Sequence, residues 1–246
     1  MSGHTEDTLL GGRVRLRQRR DGFRAAVDPV LLAAFVPARP GQRVLEAGCG
    51  SGAAFLCLAS RVSGLTVLAV ERDPALAALA RHNAAANGFS RCVTVIEDDV
   101  RTADPGDGFD HAFANPPFWP TGTAPPDRSR AAATHEAEAD LSDWVRFLGR
   151  GLKRHGTLSL ILPAARFDEG VSALREAGCG AITLLPLLPR EGAAARRVLL
   201  RGISGSRAPA VLQPAFVLHP PGQGYTDAAE RVLRGGEPIG TMVARG

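Results

Sequence analysis

The chain has 246 residues, 45% hydrophobic and 22% charged, enough for one large domain whose core needs no staple. Its formal net charge of +4 and pI near 9.3 are compatible with a polyanionic partner. The cysteines Cys49, Cys57, Cys92 and Cys179 form no CxxC pair or metal knuckle, no apolar run approaches a membrane span, and MSGHTEDTLLGG is too polar for a secretory signal, so the expectation is a cytoplasmic protein with no metal and no membrane attachment.

In residues 9–20, LLGGRVRLRQRR, Arg13, Arg15 and Arg17 alternate with Val14 and Leu16. A period of two predicts a strand with one apolar face and one arginine face. Six arginines stand between positions 13 and 24, with Asp21 the single acid among them. That face is read as a surface for phosphates; an edge strand protected by its charges is the plainer alternative. DPVLLAAFV (28–36) follows as a short helix, with Asp28 as its cap and Pro29 in its first turn.

From position 42 strands and helices alternate. QRVLEA (42–47) is a strand that runs into Glu46-Ala47-Gly48-Cys49-Gly50-Ser51-Gly52. Glycines allow a tight turn and close approach of the backbone to a ligand, and the helix predicted over 52–61 aims its free amides there. Cys49 is read as a small filler. LTVLAVE (65–71) is the next strand, and an acid at its end, Glu71, is placed to bond two ribose hydroxyls; Arg72 is grouped with it. The ligand is a dinucleotide or S-adenosylmethionine. In the dinucleotide pattern the third glycine comes one residue later, where Ala53 stands, and Glu46 would repel a pyrophosphate but suits an ammonium; both points favour S-adenosylmethionine.

Asp73-Pro74 opens a helix reaching about Asn87. CVTVIE (92–97) is a third strand, followed by Asp98, Asp99 and Val100, where an acid (Asp99 ahead of Asp98) and a backbone amide can meet an adenine. FDHAFA (109–114) is a fourth, ending in Asn115-Pro116-Pro117-Phe118, 63 residues after Gly52. An exocyclic amine on a flat ring is a poor nucleophile because its lone pair is conjugated. The Asn115 side-chain oxygen and the Pro116 carbonyl can accept its two N–H bonds and stabilise the positive charge that develops on it. Pro116 and Pro117 stiffen the backbone, and Phe118 offers a stacking face.

The irregular stretch 119–134 contains Trp119, Arg128 and Arg130, candidates to wall the pocket and close over a substrate. Helices over 138–154 and 165–178 and strands at 156–162, 181–188 and 195–202 follow, the last two antiparallel to each other. Trp144 is read as a core residue, and Arg196, Arg197 and Arg201 as a further basic group. A strand-like piece (211–219) and a helix (227–234) end the chain. The resulting fold class is α/β, Rossmann-like: a seven-stranded, mostly parallel sheet with one antiparallel strand and helices on both faces. The division is a basic strand or hairpin with a short helix (1–40), a core (41–204) and a C-terminal extension packed on it (205–246).

EAGCGSG and NPPF resemble motifs I and IV of the class I amino-methyltransferases. With Gly22-Phe23-Arg24, the run Asp28-Pro29-Val30-Leu31-Leu32-Ala33-Ala34 and His135-Glu136, the chain over about 10–220 is similar to the bacterial tRNA1(Val) adenine-37 N6-methyltransferase family. Departures are Phe118 where that family usually has Tyr, and Glu46 where Asp is common. The resemblance implies that Arg24, Asp28, Glu46, Gly48, Gly50, Gly52, Glu71, Arg72, Asp99, Val100 and Asn115 bind the cofactor. It implies a catalytic site of Asn115, Pro116, Pro117 and Phe118. Arg13, Arg15, Arg17, Trp119, Arg128 and Arg130 are the candidates for holding substrate. The expected reaction is methylation, by S-adenosylmethionine with S-adenosylhomocysteine as product, of adenine N6 in a tRNA, in the anticodon loop; the expected assembly is a monomer or weak homodimer. Guanine N2 or a glutamine amide are the rival acceptors, and a non-catalytic RNA-binding module is the rival class.

Overall fold

The computed structural model describes residues 3–20, 25–117 and 139–240. Phe118, Trp119, Arg128, Arg130, His135, Glu136 and the Gly22-Phe23-Arg24 run lie outside these residues. An N-terminal hairpin of β1 (His4–Leu9) and β2 (Val14–Arg19) pairs Glu6 with Arg17 and Leu9 with Val14. Val14, Leu16 and Gln18 turn inward and Arg13, Arg15 and Arg17 outward, as a period of two requires. The polar HTEDTL segment gives no apolar signal for β1.

The main sheet contains the seven expected strands: β3 (Arg43–Ala47), β4 (Thr66–Glu71), β5 (Val93–Glu97), β6 (Phe109–Ala114), β7 (Leu152–Pro163), β8 (Cys179–Arg190) and β9 (Arg197–Ser204). Two short ones, β10 (Val211–Leu212) and β11 (Phe216–His219), both lie beside β8. Pro214, which cannot donate to a ladder, separates these two halves of the expected 211–219 piece. The order is β10-β8-β9-β7-β6-β3-β4-β5, and β9 alone runs against its neighbours. β7 begins four residues before its expected start. The early Leu152–Phe109 pairing precedes a register shift, and Lys153-Arg154-His155 has no alternation to betray it.

Helices α1 (Asp28–Phe35), α2 (Ala53–Arg61) and α3 (Pro74–Ala86) cover one face; α4 (Leu141–Gly151) and α5 (Phe167–Glu176) cover the other. The buried residues accordingly form two clusters, Val44, Phe55, Val67 and Phe113 on the first side and Leu45, Val70, Leu148 and Leu158 on the second. Successive residues of each strand go to opposite sides. α6 (Asp227–Leu233) packs on α1. Asp28 does not cap α1: it lies inside the helix and its carboxylate binds Arg197 Nε at 2.9 Å. Strand order reverses between β3 and β6, which are direct neighbours; that is where an open α/β sheet leaves a crevice at its C-terminal edge.

Candidate active site

A cavity of about 810 Å³ occupies this crevice, inside the roughly 300–1,000 Å³ usual for small-molecule sites. It is bordered by the glycine loop, Glu46, Glu71, Asp98, Asp99 and Asn115-Pro116-Pro117. The loop after β3 turns on Gly48 (φ 60°) and Gly50 (φ 55°). A methyl group at Gly48 would stand 2.1 Å from the Trp144 ring, so this position needs glycine for its conformation and for the indole above it. Gly52 (φ 94°) does not border the cavity: its amide donates to the Cys49 carbonyl at 2.8 Å, and the Phe55 ring fills the space a side chain would need. Cys49 is buried, and burial pushes its thiol well up, consistent with a filler.

Two of the carboxylates that border the cavity, Glu71 and Glu46, differ in how far they are already committed. Glu71 Oε2 accepts the Gly50 amide at 2.8 Å and Oε1 the Asp73 amide at 2.9 Å; each oxygen keeps a lone pair for a further donor. Glu46 is buried and its Oε2 has no partner among the described residues. Burial raises its carboxyl well above the ordinary range; a bond from the Phe55 amide opposes this and the nearby Glu71 adds to it. A buried acid with an orphan oxygen suits a ligand that brings its own cation. The set of acceptors therefore fits S-adenosylmethionine, whose ammonium and ribose hydroxyls are donors that match the two acids.

After β5, Asp99 lines the cavity but is gripped by Arg101: the guanidinium reaches Oδ1 at 3.0 Å and Oδ2 at 2.7 Å. The Arg101 side chain holds the Asp99 carboxyl below its usual value. Asp98 accepts the Asp99 amide on Oδ1 at 2.8 Å, which leaves its other oxygen the less committed acceptor. Val100 and Arg72 also border the cavity. Asn115 directly follows β6, and its Oδ1 is buried without a hydrogen-bond partner among the described residues. Pro116 is buried and Pro117 exposed.

Several expected positions stand elsewhere. Asp28 is absent from the described cavity wall; its neighbours Ala25 and Pro29 are there instead. Arg13 is turned onto the carbonyls of Leu10 (3.1 Å) and Arg234 (2.8 Å), and Arg17 pairs with Glu6 at 3.4 Å. Arg15 is exposed and makes no ion pair among the described residues. Arg197 and Arg201 are half-buried and engaged within the fold: Arg197 bridges to Asp28, and Arg201 donates to the Phe35 carbonyl and lies over its ring. Sequence reasoning missed several wall residues, Gln18 and Trp144 among them. Gln18 lies inward on β2; Trp144, half-buried in the first turns of α4, packs against the second core cluster and also borders the cavity. The signal for Trp144 was available: a helix that returns to a parallel strand starts at the C-terminal edge, so its opening turn faces the crevice.

A family model described as the methyltransferase small domain matches residues 26–139. The tRNA1(Val) (adenine(37)-N6)-methyltransferase of Aeromonas hydrophila subsp. hydrophila is 35% identical over 185 residues, covering 74% of this chain and 77% of its own. That of Aeromonas salmonicida is 31% identical over 214 residues, covering 85% and 87%. A solved structure from Agrobacterium tumefaciens, a predicted O-methyltransferase, superposes with a TM-score of 0.72 at 26% identity over 86% of this chain and 97% of its own. Among the described residues no helix is long and apolar enough to cross a membrane, and no cluster of ligating side chains would hold a metal. With this fold and these relatives, the chain is a class I S-adenosylmethionine-dependent methyltransferase and belongs to the bacterial tRNA1(Val) (adenine(37)-N6)-methyltransferase family.

Proposed function

We propose that the enzyme methylates the exocyclic N6 of an adenine in the anticodon loop of a tRNA, position 37 being the one the relatives' names carry. The observation that carries this reading is the unpartnered Asn115 Oδ1 at the mouth of β6, an acceptor held ready beside the cofactor cavity. Glu46 receives the methionine ammonium, Glu71 the ribose hydroxyls, and Asp98 or Asp99 with the Val100 amide the adenine of the cofactor. When bound, S-adenosylmethionine supplies an electrophilic methyl on a sulfonium. Asn115 Oδ1 and the Pro116 carbonyl take the two N–H bonds of the target amine. Both acceptors strengthen as that nitrogen loses conjugation and gains positive charge, so they lower the barrier more than they tighten substrate binding. The proton then leaves to water, and no histidine is needed.

A base in a tRNA loop is already partly unstacked, which makes its entry into a narrow pocket inexpensive. Asn115→Ala is expected to bind S-adenosylhomocysteine as the wild type does, while kcat on tRNA falls by roughly 10²–10³, the usual effect of removing one transition-state hydrogen bond. Calorimetry and initial rates on the same preparations decide it; turnover within a few-fold of wild type contradicts the role.

A further inference from the structure

β2 pairs with β1 on one edge, and its other edge faces α3. A bare strand edge leaves alternate N–H and C=O groups without partners. Two asparagines of α3 fill them. Asn87, at the end of the helix, accepts the Arg15 amide (2.8 Å) and donates to the Arg15 carbonyl (2.7 Å). Asn83 does the same to Arg17, at 2.9 and 2.9 Å. The spacing fits: residues four apart on a helix stand about 5–6 Å from each other, and residues two apart on a strand about 6.6 Å. The two carboxamides thus imitate a neighbouring strand.

They differ in one bond. Asn87 gives its second amide hydrogen to the Asn83 carbonyl, within its own helix (2.8 Å). Asn83, 1% exposed, gives its second hydrogen to the Ser51 carbonyl in the glycine loop (2.8 Å). One buried carboxamide therefore ties the loop to the strand that carries the outward arginines, and Ser51, Gln18 and Arg19 border the same cavity. We infer that Asn83 is a positioning residue that fixes the cofactor loop and β2 in one arrangement, so that cofactor and nucleic acid each favour binding of the other. The second half rests on the proposed RNA substrate; the first does not. A ligand that orders the loop orders the Ser51 carbonyl, through it the Asn83 amide, and through that Arg17. Linkage then requires the same factor in the reverse direction.

The test compares Asn83 with Asn87, its internal control. Asn83→Asp keeps the acceptor for the Arg17 amide, loses both donors and sets an oxygen against two carbonyls; Asn83→Ala removes the group. Titration with S-adenosylhomocysteine is expected to give a Kd raised about tenfold in both variants, equivalent to ~1.4 kcal/mol, with KM for S-adenosylmethionine raised in step, while Asn87→Ala stays within about twofold of wild type. A synthetic anticodon stem-loop is expected to bind wild type and Asn87→Ala more tightly when S-adenosylhomocysteine is present, and the Asn83 variants equally with or without it. Hydrogen exchange on the wild type needs no variant to fold: S-adenosylhomocysteine is expected to protect the Arg17 amide. Asn83 variants that bind the cofactor as well as Asn87→Ala does, or exchange at Arg17 unaffected by cofactor, would overturn the inference. If wild type binds no RNA, the proposed substrate falls, while the cofactor and exchange measurements still decide the role of Asn83.

Discussion

Glu46 and Gly48 show how single residues set the chemistry of the crevice. Burial favours the protonated form of Glu46 in the free protein, and an arriving ammonium favours the ionised form. Binding is therefore expected to release a proton and to tighten as pH rises above the ordinary glutamate value of about 4.3. In the free protein the sign for stability is opposite: with the folded value raised, the contribution of Glu46 is present below about 4.3 and is lost as pH climbs through the raised value. Calorimetry of S-adenosylhomocysteine in buffers of different ionisation enthalpy measures the proton; Glu46→Gln is expected to abolish its release, and an undiminished release would contradict the assignment. At Gly48 an alanine meets both a positive φ and the Trp144 ring. Gly48→Ala is expected to weaken cofactor binding at least tenfold, and adding Trp144→Leu to recover the part due to the clash; no recovery would mean that backbone conformation dominates.

The glycine loop and Glu71 were readable because their spacing states a backbone requirement. That Trp144 also borders the cavity was missed because the amphipathic pattern of α4 says which side is buried, not that its first turns open onto a cavity. Asn83, by contrast, was unreadable: an asparagine inside a helix looks like a weak helix former until the strand edge it serves is known.

At the scale of elements, the hairpin divides its arginines between architecture and surface. Arg13 holds the hairpin to the chain near α6, whereas Arg15 is exposed and makes no ion pair among the described residues. Arg15→Ala is expected to lower tRNA affinity, reduce the salt dependence of binding by about one phosphate contact and leave the melting temperature unchanged. Arg13→Ala is expected to lower the melting temperature with the salt slope intact. Filter binding across salt concentrations with thermal melts separates them, and the reverse pattern would refute the division. Alternation alone showed which way these side chains point but not which carbonyls or acids wait for them. β1 and the early start of β7 were missed for a related reason: polar strands held by their partners have no apolar period to read.

The whole molecule rests on a sheet whose order reverses between β3 and β6, with a separate buried cluster on each side. Among the groups that limit its acid tolerance is a buried histidine. His111 is buried on β6, accepting from Thr157 at 2.8 Å and donating to Gln42 at 2.9 Å in the neutral ring. Burial lowers its pKa to about 4. Because the folded value is depressed, the stability it contributes is intact above about 6.5 and is lost as pH falls toward 4, in total ~3 kcal/mol. His111→Gln is expected to flatten the acid limb of a melting-temperature profile between those values; an unchanged limb would contradict this.

Topology and the strand ends were legible because alternation of strands and helices forces a parallel sheet, and the four parallel strands β3 to β6 carry the motifs at their C-terminal ends. The fate of the 211–219 piece was not, since pairing with β8 is a tertiary choice. The central claim, that a sulfonium methyl is delivered to a flat amine held by Asn115 and Pro116, is tested most directly by product identity. Bulk tRNA incubated with methyl-labelled S-adenosylmethionine and the enzyme, then digested to nucleosides, is predicted to carry the label on N6-methyladenosine, and to carry almost none with Asn115→Ala. Label on guanosine, on a protein amide, or on adenosine at an undiminished rate in that variant would contradict it.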